Sequence, residues 1–204
     1  MYVTAFYSFR EVKWKNCDYI DMMRMTWASC RKMGLDFWCI SDGPQADLPT
    51  FITDLPRNLM QATTKGQLDF IDKHRDKMIL HTGADCLVYK DPRNECPPEY
   101  DIAITCPRMS EAINTGAIWV RNHEKCLPVW QDALAALPEK WGDDQRVLWT
   151  ALVKHERDGL KILKHNTETH NRPATLDDPA APFVVHYKGQ RKDQMRPFFL
   201  KHIA

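Results

Sequence analysis

The chain has 204 residues, enough for one domain with a sizeable core. Its 28 Lys and Arg stand against 27 Asp and Glu, so no overall charge draws it to nucleic acid or an anionic membrane, and any anion site must be local. Seven cysteines without a CxxC pair argue against a complete disulfide framework; with no leader-like pattern in the apolar start MYVTAFYSF and no run near the roughly 20 apolar residues of a membrane span, the expected setting is cytoplasmic.

Tyr2 to Tyr7 reads as a first strand. Asp18 to Met33 places Ile20, Met23, Trp27 and Cys30 at three- and four-residue spacings, which predicts an amphipathic helix ending at Gly34. Asp36 to Ser41 is the next strand, closed by Asp42-Gly43-Pro44, and Ala46 to Pro56, with two prolines, reads as an irregular connection. A helix is predicted at about Thr64 to His74. Met78 to Tyr89 follows as an apolar strand interrupted by Gly83-Ala84-Asp85, then strands at Ile102 to Thr105 and Ile113 to Val120. Helices near Glu124 to Leu137 and Asp143 to His155, a short strand at Leu160 to Leu163 and a last strand at Pro182 to His186 complete the pattern. Asn171 to Pro182, with three prolines, reads as an ordered loop or a lid. Such alternation predicts an α/β sheet with helices on both faces, whose ligands collect at the carboxyl ends of strands.

Four short constellations fall at strand or helix ends. Asp85 sits between two apolar runs, and a buried carboxylate is paired, protonated or bound to a cation; a turn Asp is the alternative. Asn114-Thr115-Gly116 lies inside AINTGAIWV, where Asn and Gly both weaken β structure. Either a ligand or second backbone approaches closely there, or the strand carries a bulge. Asp143-Asp144-Gln145 opens a helix; Asp143 reads as its N-cap, which leaves Asp144 and Gln145 in the first turn, available to a cleft. The fourth, His186-Tyr187-Lys188-Gly189-Gln190-Arg191-Lys192, combines an imidazole suited to a divalent metal, a glycine suited to a turn and an ammonium suited to diphosphate. From His186 onward the chain carries five Lys or Arg and one Asp, so this end is locally basic.

The order of these constellations resembles that of the glycogenin-type retaining glycosyltransferases, in which an Asp-x-Asp, an Asn-x-Gly, an Asp-Gln and a His-x-x-Gly-x-x-Lys follow one another. Gly83-Ala84-Asp85, Asn114-Thr115-Gly116, Asp144-Gln145 and His186 to Lys192 stand at the matching places. Val3 to Tyr7 resembles the family's first strand, and Thr64-Lys65 resembles the Thr-Lys that opens the helix before its metal strand. The resemblance implies a GT-A fold, a Rossmann-like, mostly parallel mixed sheet flanked by helices, as one domain over 1–204. It implies transfer of a hexosyl unit from a UDP-sugar to an acceptor hydroxyl with retention. It implies Mn²⁺ (or Mg²⁺) held by Asp85 and His186, and a donor site of Thr4, Phe6, Tyr7, Lys65, Gly83, Ala84, Asp85, Asn114, Thr115, Gly116, Gly189 and Lys192. Asp144 and Gln145 fall on the catalytic side. Two residues depart from the pattern: Gly83 replaces the family's first carboxylate, and Asp193-Gln194 replaces a Pro-Trp after Lys192. Gly83 also keeps open the alternative of a sugar-nucleotide-binding module without catalysis. A nucleic-acid binder lacks a reading motif, and a metal hydrolase needs more clustered carboxylates than Asp85 supplies.

Overall fold

The computed structural model describes residues 1–7, 17–45, 47–56, 58–107, 112–138, 144–172, 174, 176–177 and 182–204, apart from the side chain of Gln190. Ten strands are described: β1 (Tyr2–Phe6), β2 (Asp36–Ser41), β3 (Thr50–Ile52), β4 (Ile79–Thr82), β5 (Cys86–Val88), β6 (Ile102–Cys106), β7 (Asn114–Val120), β8 (Ile162–Asn166), β9 (Asn171–Arg172) and β10 (Val184–His186). The described α-helices are α1 (Tyr19–Lys32), α2 (Leu59–Lys73), α3 (His123–Ala136), α4 (Asp144–Arg157), α5 (Thr167–His170) and α6 (Met195–His202), and a 3₁₀ helix spans Gly189–Gln194.

The main sheet has seven strands in the order β3-β2-β1-β4-β7-β6-β8. β3, β2, β1 and β4 run parallel; β7 is antiparallel to both β4 and β6, and β8 is parallel to β6. Residues alternate between its faces as the pleat requires. Ile79, Ile102, Ile104, Ile118 and Val120 join one core with Phe70, Trp130 and Leu152, whereas Leu80, Ala103 and Trp119 join another with Val3, Met23, Cys30 and Phe37. Burial on both faces explains why these strands read as continuous apolar runs. A second sheet, β5-β10-β9, packs with α1 and α6 around Met22, Met25, Leu87, Val185, Tyr187 and Phe198.

Helix starts follow local chemistry. Asp18 caps α1, its carboxylate accepting from the backbone N–H of Asp21 at 3.0 Å, and Asn58 caps α2 by accepting from Met60 and Gln61. In α1, Met23 and Cys30 of the predicted face are fully buried, while Ile20 and Trp27 pack half-buried at its margin.

Several boundaries differ from the sequence expectation. Met78 to Tyr89 is not one strand: β4 belongs to the main sheet and β5 to the small one, and the chain changes sheets at Gly83-Ala84-Asp85, where the Cys86 N–H donates to the Gly83 carbonyl at 3.1 Å. An apolar run records burial, not which sheet buries it. The expected irregular stretch 46–56 contains β3, held by parallel pairing to β2 at the sheet edge. The expected strand at Leu160 to Leu163 begins and ends later, as β8. The expected loop from Asn171 opens as β9, and α5 and α6 carried too few periodic positions to be read. Asp143 lies outside the described residues, as does much of 171–182. Among the described residues, no helix is long and apolar enough to cross a membrane.

Candidate active site

Two strand registers assemble the site. β4 and β7 are antiparallel with Thr82 opposite Ala117, so the Gly83-Ala84-Asp85 exit from β4 lies beside the Asn114-Thr115-Gly116 entry into β7. β10 is antiparallel to β5 with His186 opposite Cys86, which brings the imidazole next to Asp85. The Tyr187 N–H donates to the Asp85 carbonyl at 2.9 Å and locks that junction. Three constellations, the first and last more than a hundred positions apart, thus meet at the carboxyl end of the parallel strands, the expected place for a ligand in such a sheet.

Asp85 is the centre of the cluster. His186 Nε2 lies 3.3 Å from one carboxylate oxygen and Lys192 Nζ lies 2.8 Å from the other. Burial works against the Asp85 charge, but the bonds to His186 and Lys192 overcome it and hold the carboxyl down at about 2. Burial likewise works against the Lys192 charge, and its bond to Asp85 more than offsets this, so its pKa is raised. Lys192 also lies 5.6 Å from the centre of the Tyr19 ring. The turn that returns Lys192 to Asp85 begins at Gly189, whose φ of +59° favours glycine, and the 3₁₀ helix follows at once. That is the physical content of the His-x-x-Gly-x-x-Lys spacing.

Asn114-Thr115-Gly116 combines the two readings open in the sequence. The β6–β7 register shifts between Ile104 and Thr105, which is an irregularity of the bulge type. A close approach occurs as well, and it is made by a side chain of this chain: a Cβ at residue 116 would stand 2.2 Å from His186 Nδ1 and 2.9 Å from the side-chain oxygen of Asn171. Gly116 therefore leaves the slot in which the imidazole sits. Asn114 is turned toward its own strand, its side-chain oxygen accepting from the Gly116 N–H at 3.2 Å.

A cleft of about 200 Å³ opens beside this cluster. It is lined by Gly83, Ala84 and Asp85 from the strand exit, Thr115 from β7, Phe6 from β1, and Asp144 and Leu148 from α4. Tyr19, Leu59, Thr63, Thr64, Gln67 and Thr82 complete the wall. The structure brings Phe6, Gly83, Ala84, Asp85, Thr115 and Asp144 of the expected residues to one cavity, with His186 and Lys192 bonded to its Asp85. Others lie elsewhere. Thr4 is buried beneath, its hydroxyl 2.6 Å from His81 Nδ1. Lys65 lies outside the cleft wall and pairs with Asp69 at 2.5 Å. Gln145 is half-buried in the first turn of α4, outside the cleft wall, and Tyr7 follows β1 at the margin of the core. Sequence reasoning missed Tyr19, Gln67 and Asn171; the first two follow from helix faces, whereas nothing local to Asn171 announces its role.

The donor set suits a hard divalent cation. One ligand atom from each of Asp85, Cys86 and His186 lies within 4.8 Å of the others. The Cys86 thiol is spent: burial pushes it far above the usual thiol range and it donates to the Gly116 carbonyl at 3.3 Å. A carboxylate and an imidazole remain, a fit for an ion that keeps water and takes phosphate oxygens. A Cβ at Gly83 would approach an Asp85 oxygen to 2.9 Å, so the glycine gives the Asp85 carboxylate room.

No family model matches the chain, and no curated protein matches it. Solved structures do. A glycosyltransferase involved in glycosylation of the major capsid of PBCV-1 superposes with a TM-score of 0.61 at 13% identity, covering 96% of this chain and 98% of that one. The apo glycosyltransferase GlyE of Streptococcus pneumoniae TIGR4 gives 0.63 at 13%, covering 98% and 60%. The galactosyltransferase LgtC in complex with donor and acceptor sugar analogs gives 0.60 at 11%, covering 100% and 97%. The chain has the GT-A fold of these glycosyltransferases.

Proposed function

We propose that the chain is a glycosyltransferase of the glycogenin-like kind, a single domain over 1–204 that moves a hexosyl unit from a UDP-sugar to an acceptor hydroxyl with retention, in the cytoplasm. The observation that carries the reading is the junction of Asp85, which lines the cleft, with His186 and Lys192. Only the fold is shared with the superposed enzymes, so the reaction is argued from the site.

Asp85 and His186 would hold Mn²⁺ (or Mg²⁺), which when bound neutralises charge on a departing diphosphate. Lys192 exchanges its contact with Asp85 for a phosphate oxygen and so adds a second cation to the leaving group. Gly83, Ala84 and Thr115 leave space for the diphosphate and sugar against the strand exit. Phe6, with Thr4 and Tyr7 behind it, borders the base and ribose. Asn114 and Gly116 shape the sugar side through the β7 entry, Gly189 sets the turn that delivers Lys192, and Lys65 lies at the outer rim on α2. Asp144 faces the sugar, where it stabilises developing positive charge or orients the acceptor hydroxyl, with Gln145 beside it.

A second reading, a sugar-nucleotide-binding module without turnover, is favoured by one feature: Gly83 and the Lys192 bond leave Asp85 charge-balanced without a metal. Donor hydrolysis separates the two. UDP-glucose, UDP-galactose and their N-acetyl forms are incubated with Mn²⁺, and UDP release is followed for the wild type and Asp85→Ala. Slow hydrolysis of one donor, lost in the variant, is expected; binding without release from any donor would overturn the enzyme reading.

A further inference from the structure

His186 Nδ1 lies 3.1 Å from the side-chain oxygen of Asn171, and Asn171 is almost fully buried. The other end of the Asn171 amide donates to the Thr105 hydroxyl at 3.0 Å and to the Asn114 carbonyl at 3.4 Å. The Thr105 hydroxyl donates its own proton to that same carbonyl at 2.8 Å. These partners fix which way the amide points. Rotated by half a turn, its oxygen would face a carbonyl oxygen and a hydroxyl whose proton is already committed, two repulsions in a buried site. The acceptor end therefore faces the imidazole at Nδ1, while the Asp85 carboxylate, 3.3 Å from Nε2, is a second acceptor that already holds the Lys192 ammonium; the two compete for the single proton of a neutral ring, and the nearer amide oxygen takes it.

From this geometry we infer that Asn171 is a positioning residue: it holds a proton on Nδ1 of His186 and fixes the ring plane, so that Nε2 is the nitrogen turned to a cation shared with Asp85. Gly116 is the steric half of the device, because any Cβ there would displace both the ring and the amide. Thr105 and the Asn114 carbonyl are its electrostatic half. β10 pairs with β9, with Val184 beside Asn171 and Val185 beside Arg172, and this pairing holds the amide and the imidazole in one register. Partners of this kind orient metal-binding imidazoles, and their loss typically costs about 10- to 100-fold in metal affinity.

The metal arm of the test rests on the donor-and-metal reading above, whereas the proton arm does not. Nitrogen-15 NMR of histidine-labelled protein without metal, with the His186 signals assigned by their loss in His186→Gln, locates the ring proton at a pH where the ring is neutral. A protonated Nδ1 in the wild type, passing to Nε2 in Asn171→Ala as the Asp85 carboxylate takes over, is the expected result. Mn²⁺ affinity in the presence of UDP, measured by electron paramagnetic resonance, should fall about 10- to 100-fold in Asn171→Ala. Asn171→Asp keeps the acceptor for Nδ1 and loses the donor to Thr105. It should melt earlier than the wild type while retaining the Nδ1 proton and most of the Mn²⁺ affinity, a split that a purely structural role would not produce. An unprotonated Nδ1 in the neutral wild-type ring would overturn the proposal, as would an Asn171→Ala protein with unchanged tautomer and Mn²⁺ affinity. Failure of the wild type to bind Mn²⁺ with UDP, while its Nδ1 stays protonated only when Asn171 is present, would remove the metal reading and leave Asn171 as the residue that sets the tautomer.

Discussion

Two clusters in this fold have similar composition and opposite chemistry. Asp85 with His186 forms one, and Glu95 with His165 and His170 forms the other; in both, ligand atoms converge within 4.8 Å. In the second, His165 Nε2 lies 2.6 Å from the Glu95 carbonyl and His170 Nε2 lies 2.7 Å from the Glu95 carboxylate. Each ring therefore presents an N–H to Glu95. The two imidazoles stack with centroids 3.8 Å apart and planes 9° from parallel, capped by Phe183. Imidazole lone pairs lie in the ring plane, so two stacked parallel rings cannot aim at one ion. In the first cluster Nδ1 is occupied by an amide oxygen, Nε2 faces a carboxylate, and the carboxylate borders a cleft. Direction of the nitrogens, more than the residue count, separates a cluster able to hold an ion from one that is not.

Substitution at the two carboxylates should divide the clusters most sharply. Asp85→Ala is expected to lower donor turnover about 100-fold or more. Glu95→Gln should leave turnover within about twofold while costing about 1 kcal/mol of stability. UDP release and urea unfolding measure both; equal losses of turnover would erase the distinction. Next in size is Gly116→Ala, whose methyl enters the imidazole slot: Mn²⁺ affinity with UDP should fall about tenfold or more, with about 1–3 kcal/mol of overpacking. His165→Phe, which preserves stacking in the other cluster, should not alter Mn²⁺ affinity in the same titration.

A smaller effect concerns the ammonium. Because Lys192 already neutralises Asp85, Lys192→Gln should raise the Mn²⁺ affinity of the donor-free protein about three- to tenfold and weaken UDP binding. Calorimetry with each ligand alone reads both directions, and lower Mn²⁺ affinity in the variant would mean that the bridge does not compete with the metal.

The smallest effect is on the pH dependence of stability. Burial, with His123 next, holds His81 down at about 3, and burial followed by His170 lowers His165. Their folded values lie below the unfolded one of about 6.5, so the unfolded chain takes up protons first and stability falls as pH drops from about 6.5 toward 3. Asp85, held down at about 2, keeps its contribution above the ordinary carboxylate range and loses it only as pH falls below about 3.9 through 2. Between about pH 6.5 and 5, His81→Leu should therefore flatten the slope of Tm against pH and Asp85→Asn should leave it unchanged; a flattened slope in the second variant would put the acid-sensitive group at Asp85.

Legibility in the sequence followed the range of the interactions. Strands buried on both faces were visible as apolar runs, and α1 was visible from the spacing of Met23 and Cys30 because helical periodicity is local. Gly83-Ala84-Asp85 was visible as an oddity, a charge between apolar runs, but the change of sheet there was not, because sheet membership is decided by partners far along the chain. Lys65 is a second case: its place in the sequence suggested a donor contact, and its pairing with Asp69 one helical turn away is a local contact that the sequence also carried.

By itself the sequence determined the α/β class, the order of four constellations and the placing of a glycine two residues before Asp85, since these depend on residue types and short spacings. Tertiary structure decided the rest. Only the β4–β7 and β5–β10 registers bring Asp85, Gly116 and His186 together, and only the orientation of Asn171 tells which imidazole nitrogen carries the proton. Hydrogen-bond direction and steric approach act over a few ångströms in space, and those ångströms separate residues 85, 116, 171 and 186 that the chain itself keeps far apart.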